Sequence, residues 1–294
     1  MALVALMNIR RAAVAGSWYP GTAPALAAAV DAHLARTSRD VPGDLVALVA
    51  PHAGLIYSGP VAAHAYHLLR GRTFDVAVLV GPSHFVGFDG VAMLSSGGFA
   101  TPLGVASIDE ASALALREVS PIIREHPDAH VREHSLEMQL PFLQRLAPAV
   151  PIVPLVMGYQ TPQTARALGD ALAAVLKGRR ALLVASTDLS HYHDADTARA
   201  LDAVVIDCVS ELDAERLQHA LDVQPEHACG GGPTVAVMRA AQQLGARDAV
   251  VLNYADSGDV SGDKSAVVGY LAAALGTFGK LSTTEDAEDT EVKS

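Results

Sequence analysis

The sequence has few charged residues, few aromatic residues and only two cysteines. Charged side chains make up 18% of the 294 residues and aromatic side chains 5%, whereas half of the residues are hydrophobic. This composition excludes a disordered or fibrous chain and is typical of a globular α/β protein rich in Ala, Val and Leu. The two thiols, Cys208 and Cys229, cannot form a disulfide framework. We therefore expect a reducing, cytoplasmic environment.

The sequence also lacks clusters of basic residues and long apolar runs. The formal net charge is −11, and the pairs Arg10-Arg11 and Arg179-Arg180 are isolated. Because phosphate binding needs clustered Lys and Arg, this argues against nucleic acid as the main partner. No apolar run approaches the ~20 residues that cross a bilayer. The apolar start, MALVAL, is too short for a signal peptide. We expect neither a nucleic-acid partner nor a membrane association.

Runs rich in Val, Leu and Ile alternate with Ala-rich helical patterns along the chain. Near-continuous apolar runs are typical of strands buried on both faces. They predict strands at 45–50, 75–80, 152–157, 181–186, 249–254 and 266–271. Helices are predicted at 23–35, 59–69, 110–119, 135–146, 161–176, 195–210 and 233–244. This alternation indicates one α/β domain over residues 1–279, with a mostly parallel or mixed central sheet flanked by helices.

Two segments depart from this alternation. Residues 83–101 are rich in glycine and predict a long loop that contributes to a functional site. Residues 280–294 are acidic and poor in apolar side chains, and we predict that they form a disordered tail.

Three of the predicted strands are each followed by a histidine. His52 follows strand 45–50, His84 follows strand 75–80, and His191 follows strand 181–186. Ligands bind at the carboxyl ends of strands in open α/β sheets, and imidazole is the commonest side-chain metal ligand. One such histidine is more often a capping or surface residue, but three at equivalent strand ends favour a metal site. Asp188 adds a carboxylate three residues before His191, with a helix N-cap as its alternative role.

Two further motifs carry chemically active side chains. Cys229 lies just before the predicted helix at 233–244, and a helix N-terminus favours the thiolate form. Its alternative is a small buried cysteine, which is also how we interpret Cys208. Glu133 and His134 precede the helix at 135–146, for which Ser135 is the expected cap. They either enter the site or support its ligands from outside, and the sequence leaves both roles open.

Several short motifs then follow one another in a recognisable order. They are G-S-W-Y-P at 16–20, A-P-H-A-G at 50–54, G-P-S-H at 81–84, E-H-S-L-E-M-Q-L-P at 133–141, S-T-D-L-S-H at 186–191, C-G at 229–230 and L-N-Y-A-D-S at 252–257. Together they resemble the Memo-like family, whose bacterial and archaeal members are called AmmeMemoRadiSam system protein B. The resemblance runs from about residue 16 to residue 275. It implies a fold similar to that of class III extradiol ring-cleavage dioxygenases of the LigB type.

The resemblance also implies a set of site residues and partners. It places the metal on His52, His84 and Cys229, with Asp188 and His191 beside it as candidate catalytic residues. It implies iron or copper as the metal, with zinc as a further candidate. The implied partners are an AMMECR1-domain protein and a radical SAM protein. Cys229 stands where the dioxygenases use a carboxylate, so the resemblance does not extend to the dioxygenase reaction.

Three functions are consistent with these residues. The first is a metal-dependent oxidoreductase that acts on an unidentified small molecule or modified peptide, with His191 as general acid or base. The second is a metal carrier or protein-interaction module without turnover. The third is a zinc hydrolase, which needs a carboxylate base such as Asp188 or Glu133 near the ion.

Overall fold

The structure is a computed structural model that describes residues 9–279, so the predicted tail at 280–294 lies outside the described residues. The strands are β1 (Ile9–Arg10), β2 (Gly43–Ala50), β3 (Val76–Pro82), β4 (Val91–Met93), β5 (Gly98–Thr101), β6 (Gly104–Ser107), β7 (Ile123–Glu125), β8 (Ile152–Met157), β9 (Ala181–Ser186), β10 (His191–His193), β11 (Asp248–Asp256) and β12 (Val267–Phe278). The helices are α1 (Ala23–Leu34), α2 (Leu55–His67), α3 (Glu110–Val119), α4 (Asp128–Val131), α5 (Leu140–Leu146), α6 (Pro162–Leu176), α7 (Ala195–Ser210), α8 (Ala214–Val223), α9 (Gly231–Gln243) and α10 (Gly258–Ser261).

Four parallel strands form the centre of the principal sheet, in the order β2–β9–β3–β8. Every residue of β3, β8 and β9 is buried. Helices on the two faces cover this centre, which is why these strands are continuous apolar runs without a polar face. The predicted mixed α/β sheet is confirmed, and β8 and β9 have the predicted bounds.

Antiparallel strands complete the sheet on both sides. On one side β12 pairs with β2, and both β11 and β10 pair with β12. On the other side β4 pairs antiparallel with β8, and β7 pairs parallel with β4. β12 continues to Phe278, beyond the predicted end at residue 271, because its partners β2 and β11 extend alongside it.

The prediction of a long loop at 83–101 is wrong in part. This segment contains β4 and β5, and β5 joins β1 and β6 in a separate three-stranded sheet. Both strands are only three or four residues long, which is too short for their apolar pattern to stand out from the glycines around them. Of the predicted loop, the part directly after β3 that carries His84 is a turn and contains no strand.

The segment predicted as one helix from residue 135 also differs. A 3₁₀ turn spans Glu137–Gln139 and α5 follows it. Ser135 does not cap either element, because its hydroxyl donates to the carbonyl oxygen of Pro82 at 3.0 Å. Ser135 therefore ties this segment to the end of β3. Within residues 9–279 we find no helix that combines the length and the apolar character needed to cross a membrane.

Candidate metal centre

The site lies where β2, β9 and β3 end side by side. His52 is the second residue after β2, and His84 is the second residue after β3. Because the three strands are parallel neighbours, their carboxyl ends meet at one edge of the sheet. Asp188 and His191 follow β9, the strand between the other two. The predicted adjacency of these strand ends is therefore confirmed.

Cys229 reaches this edge from a different part of the chain. It precedes α9, which packs against β9 and β3, and its backbone N–H donates to the carbonyl oxygen of Asp188 at 3.2 Å. The N–H of Gly230 donates to Thr187 Oγ1 at 2.9 Å. A Cβ atom on Gly230 would lie only 2.4 Å from the carbonyl oxygen of Ser186. Glycine at this position thus allows the loop to approach the end of β9 closely.

Three potential metal donors converge at this edge. One ligand atom from each of His52, His84 and Cys229 lies within 4.8 Å of the other two. The sulfur of Cys229 is 3.3 Å from His52 Nε2, and the two imidazole rings are 5.2 Å apart between centroids. His52 is buried, whereas the side chain of His84 is 27% exposed. The donor set is therefore shielded from solvent on the His52 side and accessible to solvent on the His84 side.

The chemistry of this donor set fits a transition-metal ion. Two imidazoles and one thiol suit zinc, copper or iron, and three protein ligands leave a coordination position open. Burial, and next the neighbouring His84, hold the pKa of His52 well below its usual value of 6.5. The ring is therefore neutral and able to donate a lone pair.

The expected thiolate at Cys229 is not supported in the metal-free protein. Burial raises the pKa of the Cys229 thiol, and the Asp188 carboxylate raises it further, so the thiol keeps its proton. The N-terminus of α9 does not outweigh these two effects. A metal ion would displace the proton on binding, as it does at other thiol ligands.

Glu133 supports His84 from outside the group that His84 forms with His52 and Cys229, and it forms a second group of convergent donor atoms with His84 and His134. Its carboxylate accepts hydrogen bonds from the backbone N–H of His84 at 2.6 Å and from His84 Nδ1 at 2.9 Å. It also accepts from the backbone N–H groups of His134 and Ser135, both at 2.9 Å. Burial raises the pKa of Glu133, but these hydrogen bonds outweigh it and lower the pKa to about 2. The permanent carboxylate keeps the His84 proton on Nδ1 and leaves Nε2 free to bind a metal.

Asp188 links the loops of the site. Its Oδ1 accepts from the backbone N–H of His52 at 2.7 Å, and its own N–H points at the sulfur of Cys229 at 3.3 Å. Burial raises the pKa of Asp188 to about 6. Among the described residues, Asp188 is not part of the group of convergent metal donors. It holds two ligand-bearing loops together.

His191 lies beside the donors and presents one free nitrogen. Its Nδ1 donates to the carbonyl oxygen of Leu189 at 2.8 Å, which leaves Nε2 as the nitrogen with a lone pair. It is close enough to His52 for its charge to lower the pKa of that residue. Among the described residues it too lies outside the convergent donor group. The position suits proton transfer better than metal binding.

Comparisons with known proteins decide the family. The model for Memo-like proteins matches residues 10–274. The chain is 39% identical over 285 residues to a MEMO1 family protein of Methanothermobacter thermautotrophicus, covering 89% of this chain and 98% of the relative. It is 41% identical over 272 residues to a MEMO1 family protein of Methanosarcina acetivorans, covering 90% and 98%.

The chain belongs to the Memo-like family. A solved structure of an uncharacterized protein from Escherichia coli K12 matches the same architecture with a TM-score of 0.53 and 17% sequence identity. The match covers 79% of the Memo-like chain and 100% of the neighbour. At this identity the likeness supports the fold alone.

Sequence reasoning did not assign one wall of this Memo-like site. His134 stacks on His84 with ring centroids 4.5 Å apart, and the Trp18 ring also lies against His134, with centroids 4.2 Å apart and a tilt of 52°. Burial, and next the neighbouring His52, lower the pKa of His134 to about 3. Trp18 lies in the G-S-W-Y-P motif and His134 in the E-H-S-L-E-M-Q-L-P motif. Their presence in these motifs was the one feature of the sequence that could have placed them at the site. Their contact depends on distant parts of the chain packing together.

Cys208 and two histidines outside the motifs, His67 and His219, lie away from the candidate donors. Cys208 is fully buried in α7, as a small hydrophobic residue. His67 contacts Thr37 within the fold, and His219 is exposed on α8. None of these three belongs to a group of convergent metal donors within the described part of the chain.

Proposed function

We propose that this protein binds one redox-active transition-metal ion, iron or copper, through His52, His84 and Cys229, and that it oxidises or reduces a small molecule or modified peptide. The convergence of the three donor atoms within 4.8 Å of one another supports the proposal. Family membership supports it as well, since the motifs that carry these residues lie within the matched range. When bound, the ion would supply the redox centre and an open coordination position.

The protein's own groups have distinct roles in this proposal. His52 donates a lone pair from a neutral ring, His84 donates one from Nε2, and Cys229 contributes sulfur charge after losing its proton. His191 enters as a general base, because its Nδ1–H is committed to the carbonyl oxygen of Leu189 and Nε2 is free to accept a substrate proton. The exposed edge of His84 leaves room for substrate to approach from solvent.

The zinc hydrolase has less support from the geometry. It needs a carboxylate that is free to take a proton from a metal-bound water. Glu133 already accepts four hydrogen bonds from residues of the site. Asp188 is engaged with the backbone of the His52 loop. Both carboxylates act as anchors, so neither is positioned as the base.

The deciding experiment is the metal content of anaerobically purified protein, measured by elemental mass spectrometry. We expect close to one iron or copper per chain in the parent, and strong loss in His52→Ala and in Cys229→Ala, since each removes one of three ligands. His219→Ala is the matched control, because His219 is an exposed histidine on α8. It should keep the parental metal content.

The other outcomes separate the alternatives. Tightly bound zinc without iron or copper would favour the hydrolase. Iron or copper that is bound but cannot be cycled between oxidation states would favour a carrier without turnover. A parent that binds no metal after reconstitution, or variants that keep it, would overturn the ligand set.

A further inference from the structure

A buried chain of hydrogen bonds lies directly beneath His52. It runs from Tyr66 to Gln139 to Ser186, and Ser186 Oγ lies 2.9 Å from His52 Nδ1. These side chains are almost completely inaccessible to solvent. Because a hydroxyl group can both donate and accept, the contact between Ser186 and His52 does not by itself show which atom carries the proton.

The orientation of Gln139 is fixed by a backbone carbonyl. Its Nε2 lies 3.1 Å from the carbonyl oxygen of Pro51, which can only accept a hydrogen bond. The amide nitrogen must therefore face this side, where it also donates to Ser186 Oγ at 2.7 Å. Gln139 Oε1 then accepts from the Tyr66 hydroxyl at 2.9 Å. Ser186 is thus an acceptor toward Gln139.

The single proton of the Ser186 hydroxyl is also committed. Ser186 Oγ lies 2.7 Å from the carbonyl oxygen of Ser135, another atom that can only accept. Ser186 therefore donates to Ser135 and has only a lone pair left for His52. It follows that His52 Nδ1 carries the proton and donates it to Ser186. The alternative tautomer would withdraw the donor from the buried Ser135 carbonyl.

Cys229 is consistent with this assignment from the other side of the ring. Its sulfur lies 3.3 Å from His52 Nε2. A thiol can accept a hydrogen bond or donate its single proton, and the carbonyl oxygen of Asp188 lies 3.6 Å from the sulfur as a second acceptor. The contact therefore agrees with a bare Nε2, and the assignment of the proton rests on the Ser186 hydroxyl.

We infer that Ser186, oriented by Gln139 and by the Ser135 carbonyl, fixes His52 as the tautomer protonated at Nδ1 and so keeps Nε2 free for a metal ion. Ser186 and Gln139 are positioning residues. His84 and His191 reach the same tautomer through acceptor-only partners, the Glu133 carboxylate and the Leu189 carbonyl. The functional meaning of the inference rests on the proposed metal centre, whereas the location of the proton does not.

The test is nitrogen NMR of metal-free protein labelled with ¹⁵N-histidine, at a pH where His52 is neutral. Protonated and bare ring nitrogens differ widely in chemical shift, and His52→Asn identifies the His52 signals by their loss. We expect the parent to show a protonated Nδ1 and a bare Nε2 at His52. A protonated Nε2 in the parent would overturn the inference without the need for any Ser186 variant.

Ser186→Ala then tests the role of the hydroxyl. We expect a mixture of His52 tautomers, unchanged His84 signals, and Zn²⁺ affinity about 10- to 100-fold weaker by chelator competition. Ser112→Ala is the control, because Ser112 is a buried serine whose hydroxyl donates to Asp109 and accepts from Arg179. A parental tautomer and parental affinity in Ser186→Ala would overturn the inference. A parent with the expected tautomer that binds no metal would instead refute the proposed function and leave the inference intact.

Discussion

The carboxylate of Glu133 holds His84 at two points. One oxygen accepts from the His84 backbone N–H at 2.6 Å, and the other accepts from the ring Nδ1 at 2.9 Å. The backbone contact fixes the loop, and the ring contact fixes the side chain within it. Two anchors on one residue determine both the position and the direction of the Nε2 lone pair.

Replacing Glu133 with Gln should therefore weaken metal binding without unfolding the protein. Glutamine keeps the shape but offers one acceptor oxygen for the four donors that the carboxylate satisfies. We expect Zn²⁺ affinity to fall about 10- to 100-fold in a chelator competition assay. Glu125→Gln is the control, since the Glu125 carboxylate is exposed and accepts from the backbone N–H of Ser95, away from His84. Equal affinities in the two variants would contradict a role of Glu133 in holding His84.

The single tryptophan of the chain should report metal binding. The ring of Trp18 lies against His134 at a tilt of 52°, and His134 stacks on the metal-donor candidate His84. We expect Cu²⁺ to quench the tryptophan fluorescence in proportion to site occupancy, because a paramagnetic ion would lie two ring contacts away. The same titration with His52→Ala should show little quenching. Equal quenching in parent and variant would show that copper binds elsewhere.

Glu137 should be among the most sensitive residues of the fold. Its fully buried carboxylate accepts from Arg10, from the backbone N–H groups of Ala13 and Val14, and from the Tyr19 hydroxyl. Glu137→Ala leaves the Arg10 charge buried without its partner, and we expect the free energy of unfolding to fall by about 3–5 kcal/mol. Urea denaturation measures this loss.

An exposed ion pair provides the comparison for Glu137. Glu211 and Arg216 form a pair in which both side chains are about half exposed. Glu211→Ala should lower the free energy of unfolding by less than about 1 kcal/mol, since solvent screens the pair. Similar losses in the two variants would show that burial does not increase the contribution of the Glu137 network to the free energy of unfolding.

Acid should destabilise the protein partly through His130. Burial, and next the charge of Arg10, lower the pKa of His130 to about 3 in the folded state. The unfolded chain takes up this proton near pH 6.5, so stability is lost as the pH falls from about 6.5 toward 3. One such group contributes about 1.4 kcal/mol per pH unit within this window.

His130→Leu should make the stability less dependent on pH across this window. The free energy of unfolding at pH 7.5 and pH 4.5, from urea titrations, gives the slope independently of any change in overall stability. His219→Gln, at an exposed position, should keep the parental slope. A steep slope retained in His130→Leu would assign the acid sensitivity to other buried groups, such as His52 and His134.

The sequence predicted where the candidate metal donors lie in the fold, because the strands that carry them have a strong local signal. β8 and β9 are continuous apolar runs, and His52 and His84 follow strands of the same kind. The short strands β4 and β5 have no such signal, so their segment was predicted as a loop. The protonated state of Cys229 depends on burial and on Asp188, which no local pattern encodes. The hydrogen bond between Glu133 and His84 could not be predicted either, because the two residues are 49 positions apart in the chain.

The contact between His52 and Cys229 joins residues 177 positions apart in the chain. The donor set therefore exists only after β2, β9, β3 and the start of α9 have assembled, so no fragment that ends before residue 229 can complete it. Binding of an ion to this set would favour the assembled chain over every partly folded one. A bound metal would therefore stabilise complete chains and leave truncated chains unaffected.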